Sequence, residues 1–215
     1  MNTRTGCIAG CQYMPSIEYF AHWHHHRHMI IEACEHYQKR SWRNKTAIIG
    51  PDNPLLLSVP LKKGKNNKVL ISEVEISYDE GWNRIHMTSI RTAYGKTAFF
   101  EELETDLEEI ILQRHHTLWE LNITLITFFT QLLRGDWSYS ITDTYLHTTQ
   151  DSLVDMRDGI PAGIQNPDIQ EIPTYEQVHR LNKTFMPNLS ILDLLCHLGP
   201  GTKDYLDRYA KQLYK

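Results

Sequence analysis

The run Gly6-Cys7-Ile8-Ala9-Gly10-Cys11-Gln12 and the segments after it, Tyr13-Met14-Pro15-Ser16 and Met29-Ile30-Ile31-Glu32-Ala33-Cys34, decide the fold. The first run is short and apolar and reads as a strand. Tyr13–Ser16 breaks it, and Ser16 is placed to cap a helix in which Ile17, Phe20 and Trp23 fall at helical spacing. Met29–Cys34 is apolar and β-branched between polar neighbours, so it reads as a second strand. Strand, helix and strand form a βαβ unit, which predicts parallel pairing.

Outward from this unit, Thr46–Ile49 and Leu55–Pro60 flank Gly50-Pro51-Asp52-Asn53. Two β-prone runs around a turn signal predict a hairpin. Lys62–Lys68 is a basic loop, and Val69–Tyr78 alternates well enough for another strand. From Gly81 the pattern turns helical, with helices over Trp82–Tyr94, Thr97–His116 and Leu118–Arg134, the last ended by Gly135. Ser138–Tyr145 reads as a late strand. Thr148–Pro173, carrying Pro161, Pro167 and Pro173, reads as a long loop. Leu189–His197 and Gly201–Gln212 close the chain as helices. The expected fold is one α/β domain over 1–215. It has an N-terminal mixed, Rossmann-like sheet (1–80), helices over 81–135, a variable loop at 147–173 and C-terminal helices within 174–215.

The bulk numbers agree with a globular chain. Its 215 residues can bury one good-sized core, and 41% of them are apolar. The formal net charge is −4, without the basic face that a nucleic-acid partner requires. The longest apolar stretch, Leu118–Leu133, is interrupted by Glu120, Asn122, Thr124 and Thr127, so membrane insertion is not expected. Met1–Gly10 lacks an apolar signal core, so the expected location is cytoplasmic. Cys7, Cys11, Cys34 and Cys196 form no CxxC pair and fit free thiols in a reducing compartment.

Several runs resemble, in order, the WbqC-like protein family, in particular the branch common in Bacteroidetes. They are Tyr13-Met14-Pro15-Ser16-Ile17-Glu18-Tyr19-Phe20, Glu35-His36-Tyr37-Gln38-Lys39-Arg40-Ser41-Trp42-Arg43-Asn44, and Leu57-Ser58-Val59-Pro60-Leu61-Lys62. Trp82-Asn83-Arg84-Ile85-His86 follows, and then Pro187-Asn188-Leu189-Ser190-Ile191-Leu192-Asp193. The resemblance implies a role in surface-polysaccharide or O-antigen biosynthesis. The implied reaction is transfer of an aminoacyl (glycyl) group to a nucleotide-linked amino sugar. The competing reading is a non-catalytic protein that binds a glycan precursor or partners an envelope-biosynthesis enzyme. The partner expected is a small molecule; no cofactor and no oligomeric state can be read from these residues.

The candidate site residues lie in these runs. Lys39, Arg40 and Arg43 follow the second strand, where α/β sheets collect ligands, and could hold a diphosphate. Gln38 and Asn44 could read a sugar or base. The alternative is a solvated basic turn paired with Glu32 or Glu35. Tyr13, Pro15 and Tyr19 end the first strand, where Tyr13 and Tyr19 offer hydroxyls and Pro15 fixes the turn, although both tyrosines also suit a core. Lys62 adds a cation. His86 or Glu35 would serve as the base, and a packed structural histidine is the other reading of His86. His22, His24, His25, His26 and His28 include i, i+4 pairs, but no carboxylate ligand is placed nearby, and no metal is expected there. Neither GxGxxG, a P-loop nor GxSxG is present.

Overall fold

The computed structural model describes residues 6–63, 68–147, 153–158, 172–178 and 184–215. β1 (Gly6–Gly10) leads into α1 (Ile17–His26), which returns the chain to β2 (His28–Glu32). The Ser16 hydroxyl accepts from the Tyr19 amide and caps α1 as its sequence predicts. β1 and β2 pair in parallel, Cys7 beside Met29 and Gly10 beside Glu32.

The expected hairpin forms from β3 (Lys45–Ile48) and β4 (Leu55–Ser58), antiparallel, with Lys45 opposite Ser58. It is a separate two-stranded sheet. The main sheet has four parallel strands and takes both outer ones from the second half of the chain. β5 (Ser138–Ile141) pairs with β2, and β6 (Leu153–Asp155) pairs with β1, giving the order β5-β2-β1-β6.

α2 (Trp82–Tyr94) begins and ends as expected. α3 (Phe100–Leu112) is shorter than Thr97–His116. α4 (Leu118–Leu133) starts in a capping box of Thr117 and Glu120. It ends at Leu133, one residue short of the expected Arg134, because Arg134 itself takes the left-handed conformation at φ 45°. α5 (Ile191–Leu198) and α6 (Thr202–Leu213) close the fold around a 3-10 turn at Gly199–Gly201. One continuous apolar core runs from Cys7 to Tyr209 through the sheet and all six helices.

Two expectations fail locally. Val69–Tyr78 is not a strand: Ile71–Glu73 forms a 3-10 turn, and Leu70, Glu75 and Ile76 make only isolated bridges. The physical reason is burial at Ile71, Val74 and Ile76, an irregular spacing that a period-two strand cannot satisfy. The stretch read as a loop over 147–173 contains β6; residues 148–152 and 159–171 lie outside the described residues. Among the described residues, no helix is long and apolar enough to cross a membrane.

Candidate functional site

The polypeptide leaving β1 turns toward β2, whereas β6 lies on the other side of β1. Such a reversal of strand order opens a crevice at the carboxyl ends of a parallel sheet. Gly10 and Gln12 after β1, Gln38–Arg43 after β2, and Arg157 and Asp158 after β6 line a cavity of about 150 Å³ there. Beside it lies a wider cavity of about 740 Å³, bordered by Cys34, Glu35, Tyr145 and His147. Gln38 and Lys39 line both, so the two form one cleft.

The floor is a buried ion pair. Arg43 Nε donates to Glu35 Oε1 at 2.7 Å, and a second guanidinium nitrogen donates to Glu35 Oε2. Both residues are at most 4% exposed. Burial pushes the Glu35 carboxyl above its ordinary pKa, and the Arg43 guanidinium opposes that rise. Arg43 is fixed from behind as well, because Asn122 of α4 donates to its backbone carbonyl at 2.8 Å. Gly10 supplies the space: a Cβ there would sit 2.8 Å from Glu35 Oε1 and 3.0 Å from an Arg43 nitrogen.

A second buried pair stands on the β6 side. Arg157 Nη1 donates to Glu32 Oε2 at 3.3 Å and to the Leu146 carbonyl at 2.6 Å, while its Nε donates to Asp155 Oδ1 at 3.0 Å. Glu32 is fully buried and also accepts from the Cys34 amide and the Thr142 hydroxyl. Between these pairs, Gln38 Nε2 donates to Asp158 Oδ1 at 3.1 Å and closes the crevice wall.

Above this neutralised floor, Lys39 and Arg40 project from an exposed turn. The Ser41 hydroxyl shapes the turn by donating to the Gln38 carbonyl at 2.7 Å. Arg40 holds the left-handed conformation, φ 60°, which costs an L-residue roughly 1–2 kcal/mol. The rim therefore offers two cations to an anion, and the floor offers fixed, self-paired charge.

The remaining sequence candidates are placed elsewhere. Tyr13 is fully buried, and its hydroxyl meets His86 Nδ1 at 2.9 Å. The Ser58 backbone holds the other side of the His86 ring, and burial pulls the imidazole down to about 4. His86 packs against Trp82 and lines neither cavity, so the structure makes it a neutral core histidine rather than a base in the cleft. Tyr19 packs against Phe20 and Trp23 in the core. The Pro15 carbonyl accepts from the Ile191 amide at 2.9 Å and ties the first turn to α5. Asn44 is a clip, accepting from the Tyr37 hydroxyl and donating to the Val59 carbonyl. Lys62 pairs with Glu75 on the surface. His22 and His26 share the Tyr214 hydroxyl at 2.6 and 2.8 Å, and His25 stacks on the Tyr214 ring.

Gly10, Gln12, Tyr145, Arg157 and Asp158 were not singled out from the sequence. The last two follow the short β-prone run Leu153-Val154-Asp155, one residue beyond it after Met156.

Fold and cleft together define a parallel α/β protein with a polar cleft at its strand-order reversal. The chain belongs to the WbqC-like protein family, whose sequence model matches residues 11–160. It is 27% identical over 210 residues to the Mycobacterium tuberculosis protein described as uncharacterized protein Rv1507c, covering 85% of this chain and 88% of that one. No solved structure matches it.

Proposed function

We propose that this chain binds a nucleotide-linked amino sugar in the cleft. It acts as a transferase in surface-polysaccharide assembly, passing an aminoacyl (glycyl) group to the sugar amine. The observation that carries this reading is the pair of exposed cations, Lys39 and Arg40, over the buried Glu35–Arg43 floor. Charge-assisted bonds from such cations hold phosphate oxygens strongly. Because Arg43 is engaged by Glu35, its part is to build the floor, and the diphosphate falls to Lys39 and Arg40. Gln12, Gln38 and Asp158 supply hydrogen bonds for sugar hydroxyls.

In the transfer, the amine nitrogen attacks the acyl carbon, loses a proton and expels the activating group of the donor. Glu35 borders the cleft, and its raised pKa suits a proton acceptor. The second reading is binding without chemistry. It is favoured by a specific observation: both Glu35 oxygens are held by Arg43, and His86 is sealed in the core.

The test is thermal unfolding with a panel of nucleotide-linked amino sugars. A ligand that binds the folded state at ~100-fold above its Kd adds about 2.7 kcal/mol and raises Tm visibly. The expected result is a rise of a degree or more, abolished in the double variant Lys39→Ala, Arg40→Ala. A flat response across the panel overturns both readings. Consumption of the sugar amine in the presence of glycyl donors then separates transferase from binder.

A further inference from the structure

We infer that Tyr145 is the stacking platform for the nucleobase of the bound nucleotide, with Arg157 as the cation that rigidifies and polarises it. This rests on the reading above and adds the part of the site that recognises the base.

A nucleotide-linked sugar has three parts in a fixed order: base, diphosphate, sugar. The cleft has a matching order. Lys39 lies where the two cavities meet, and Arg40 beside it borders the small one, so the two form a cationic ridge. On one side is the small polar cavity with Gln12 and Asp158, suited to hydroxyls. On the other is the wide cavity, whose wall carries an aromatic ring, Tyr145, that is 41% exposed. An exposed aromatic ring beside a phosphate-binding ridge is the arrangement by which proteins hold a base without reading its sequence.

Tyr145 is not a loose surface ring. The Arg157 guanidinium lies 4.9 Å from its centroid. That guanidinium is itself fixed by Asp155, Glu32 and the Leu146 carbonyl, and its side chain is only 8% exposed. A cation over the ring draws on its electron density and polarises it. His147 packs edge-on against the same ring at 5.0 Å, which restrains its rotation. The platform is therefore pre-oriented, and a base loses little entropy by settling on it.

The residues responsible come from β5's exit and from the segment after β6, which approach only because both strands flank the β1–β2 pair. This gives Arg157 two tasks. It neutralises the buried Glu32 carboxylate, and it holds the base platform against the wide cavity.

The experiment is titration calorimetry of the full chain with three probes: inorganic pyrophosphate, UDP and ADP. The wild type should bind both nucleotides at least about tenfold more tightly than pyrophosphate, since stacking of one base on an aromatic ring is worth that much or more. Tyr145→Ala should bring UDP and ADP to within about threefold of pyrophosphate while leaving pyrophosphate itself unchanged, because the ring alone is removed. Tyr145→Phe should keep the preference, and unchanged Tm in both variants shows the fold intact. The platform is overturned if the wild type binds pyrophosphate and the nucleotides equally, or if Tyr145→Ala retains the preference. If the wild type binds none of the three, the phosphate reading itself fails and the platform goes with it.

Discussion

Replacing Arg40 by glycine should make the protein more stable and less able to bind. Arg40 sits at φ 60° at the tip of the turn between Lys39 and Ser41. The left-handed conformation costs an L-residue roughly 1–2 kcal/mol, and glycine removes that cost. Glycine also loosens the unfolded chain, which returns about 0.5–1 kcal/mol. The net gain should be about 0.5–1 kcal/mol, or a rise in Tm of about 1–4 °C for a chain of this size. The guanidinium is exposed and has no hydrogen-bond or ion-pair partner among the described residues, so its loss offsets none of this. Affinity for pyrophosphate should fall by roughly tenfold or more, the worth of a hydrogen bond from a charged donor. Arg40→Ala is the control, because it removes the charge and keeps the strain. It should weaken binding equally and leave Tm near the wild type. Urea unfolding and calorimetry on the three proteins decide the matter. If Arg40→Gly is no more stable than Arg40→Ala, the turn is not strained. If it is more stable and binds as well as wild type, the strain does not serve the ligand.

Three further outcomes follow from the floor and the core. Gly10→Ala should destabilise by about 1–3 kcal/mol in denaturant unfolding, since its methyl would meet the Glu35–Arg43 pair at 2.8 and 3.0 Å. Arg43→Met should cost about 3–5 kcal/mol by leaving Glu35 buried and unpaired. That loss should shrink at acid pH, where Glu35 protonates, and most of it should return in the double variant with Glu35→Gln. His86 gives a pH dependence of the opposite kind. Its folded pKa, about 4, lies below its unfolded value, so the stability it contributes is full above pH ~6.5 and declines as pH falls toward 4. Between pH 7 and 5 the loss should be about 2 kcal/mol, and His86→Gln should flatten the Tm profile across that window.

The parts of the fold that sequence made legible are those set by neighbours along the chain. Ser16 with Ile17, Phe20 and Trp23 defined α1, and Gly50–Asn53 defined the hairpin, because capping and turn chemistry are local. Val69–Tyr78 misled because its alternation is overridden by burial of Ile71 and Val74 against α4 and the turn before it. The site divides in the same way. Gln38, Lys39, Arg40 and Arg43 lie within six residues and were visible as a cluster. Arg157 and Asp158 reach the cleft only through the pairing of β6 with β1, a contact between distant residues that no local pattern announces. His86 and Tyr13 looked chemical because of their residue types. What seals them is the packing of α2 against the β4 exit, which periodicity does not convey.

The strand order β5-β2-β1-β6 also dictates an order of events during synthesis. β1 and β2 emerge first and can pair at once, since only α1 separates them. Both edges of that pair then stay open until Ser138–Ile141 and Leu153–Asp155 have been made. Parallel pairings at such separation close slowly, because the loop entropy is spent before the contact forms. During that interval a nascent chain carries an apolar two-stranded nucleus with two unsatisfied edges, the form most prone to pairing with a neighbour. The last of these strands, β6, carries Arg157 to the cleft, so completion of the sheet and completion of the cleft are a single step.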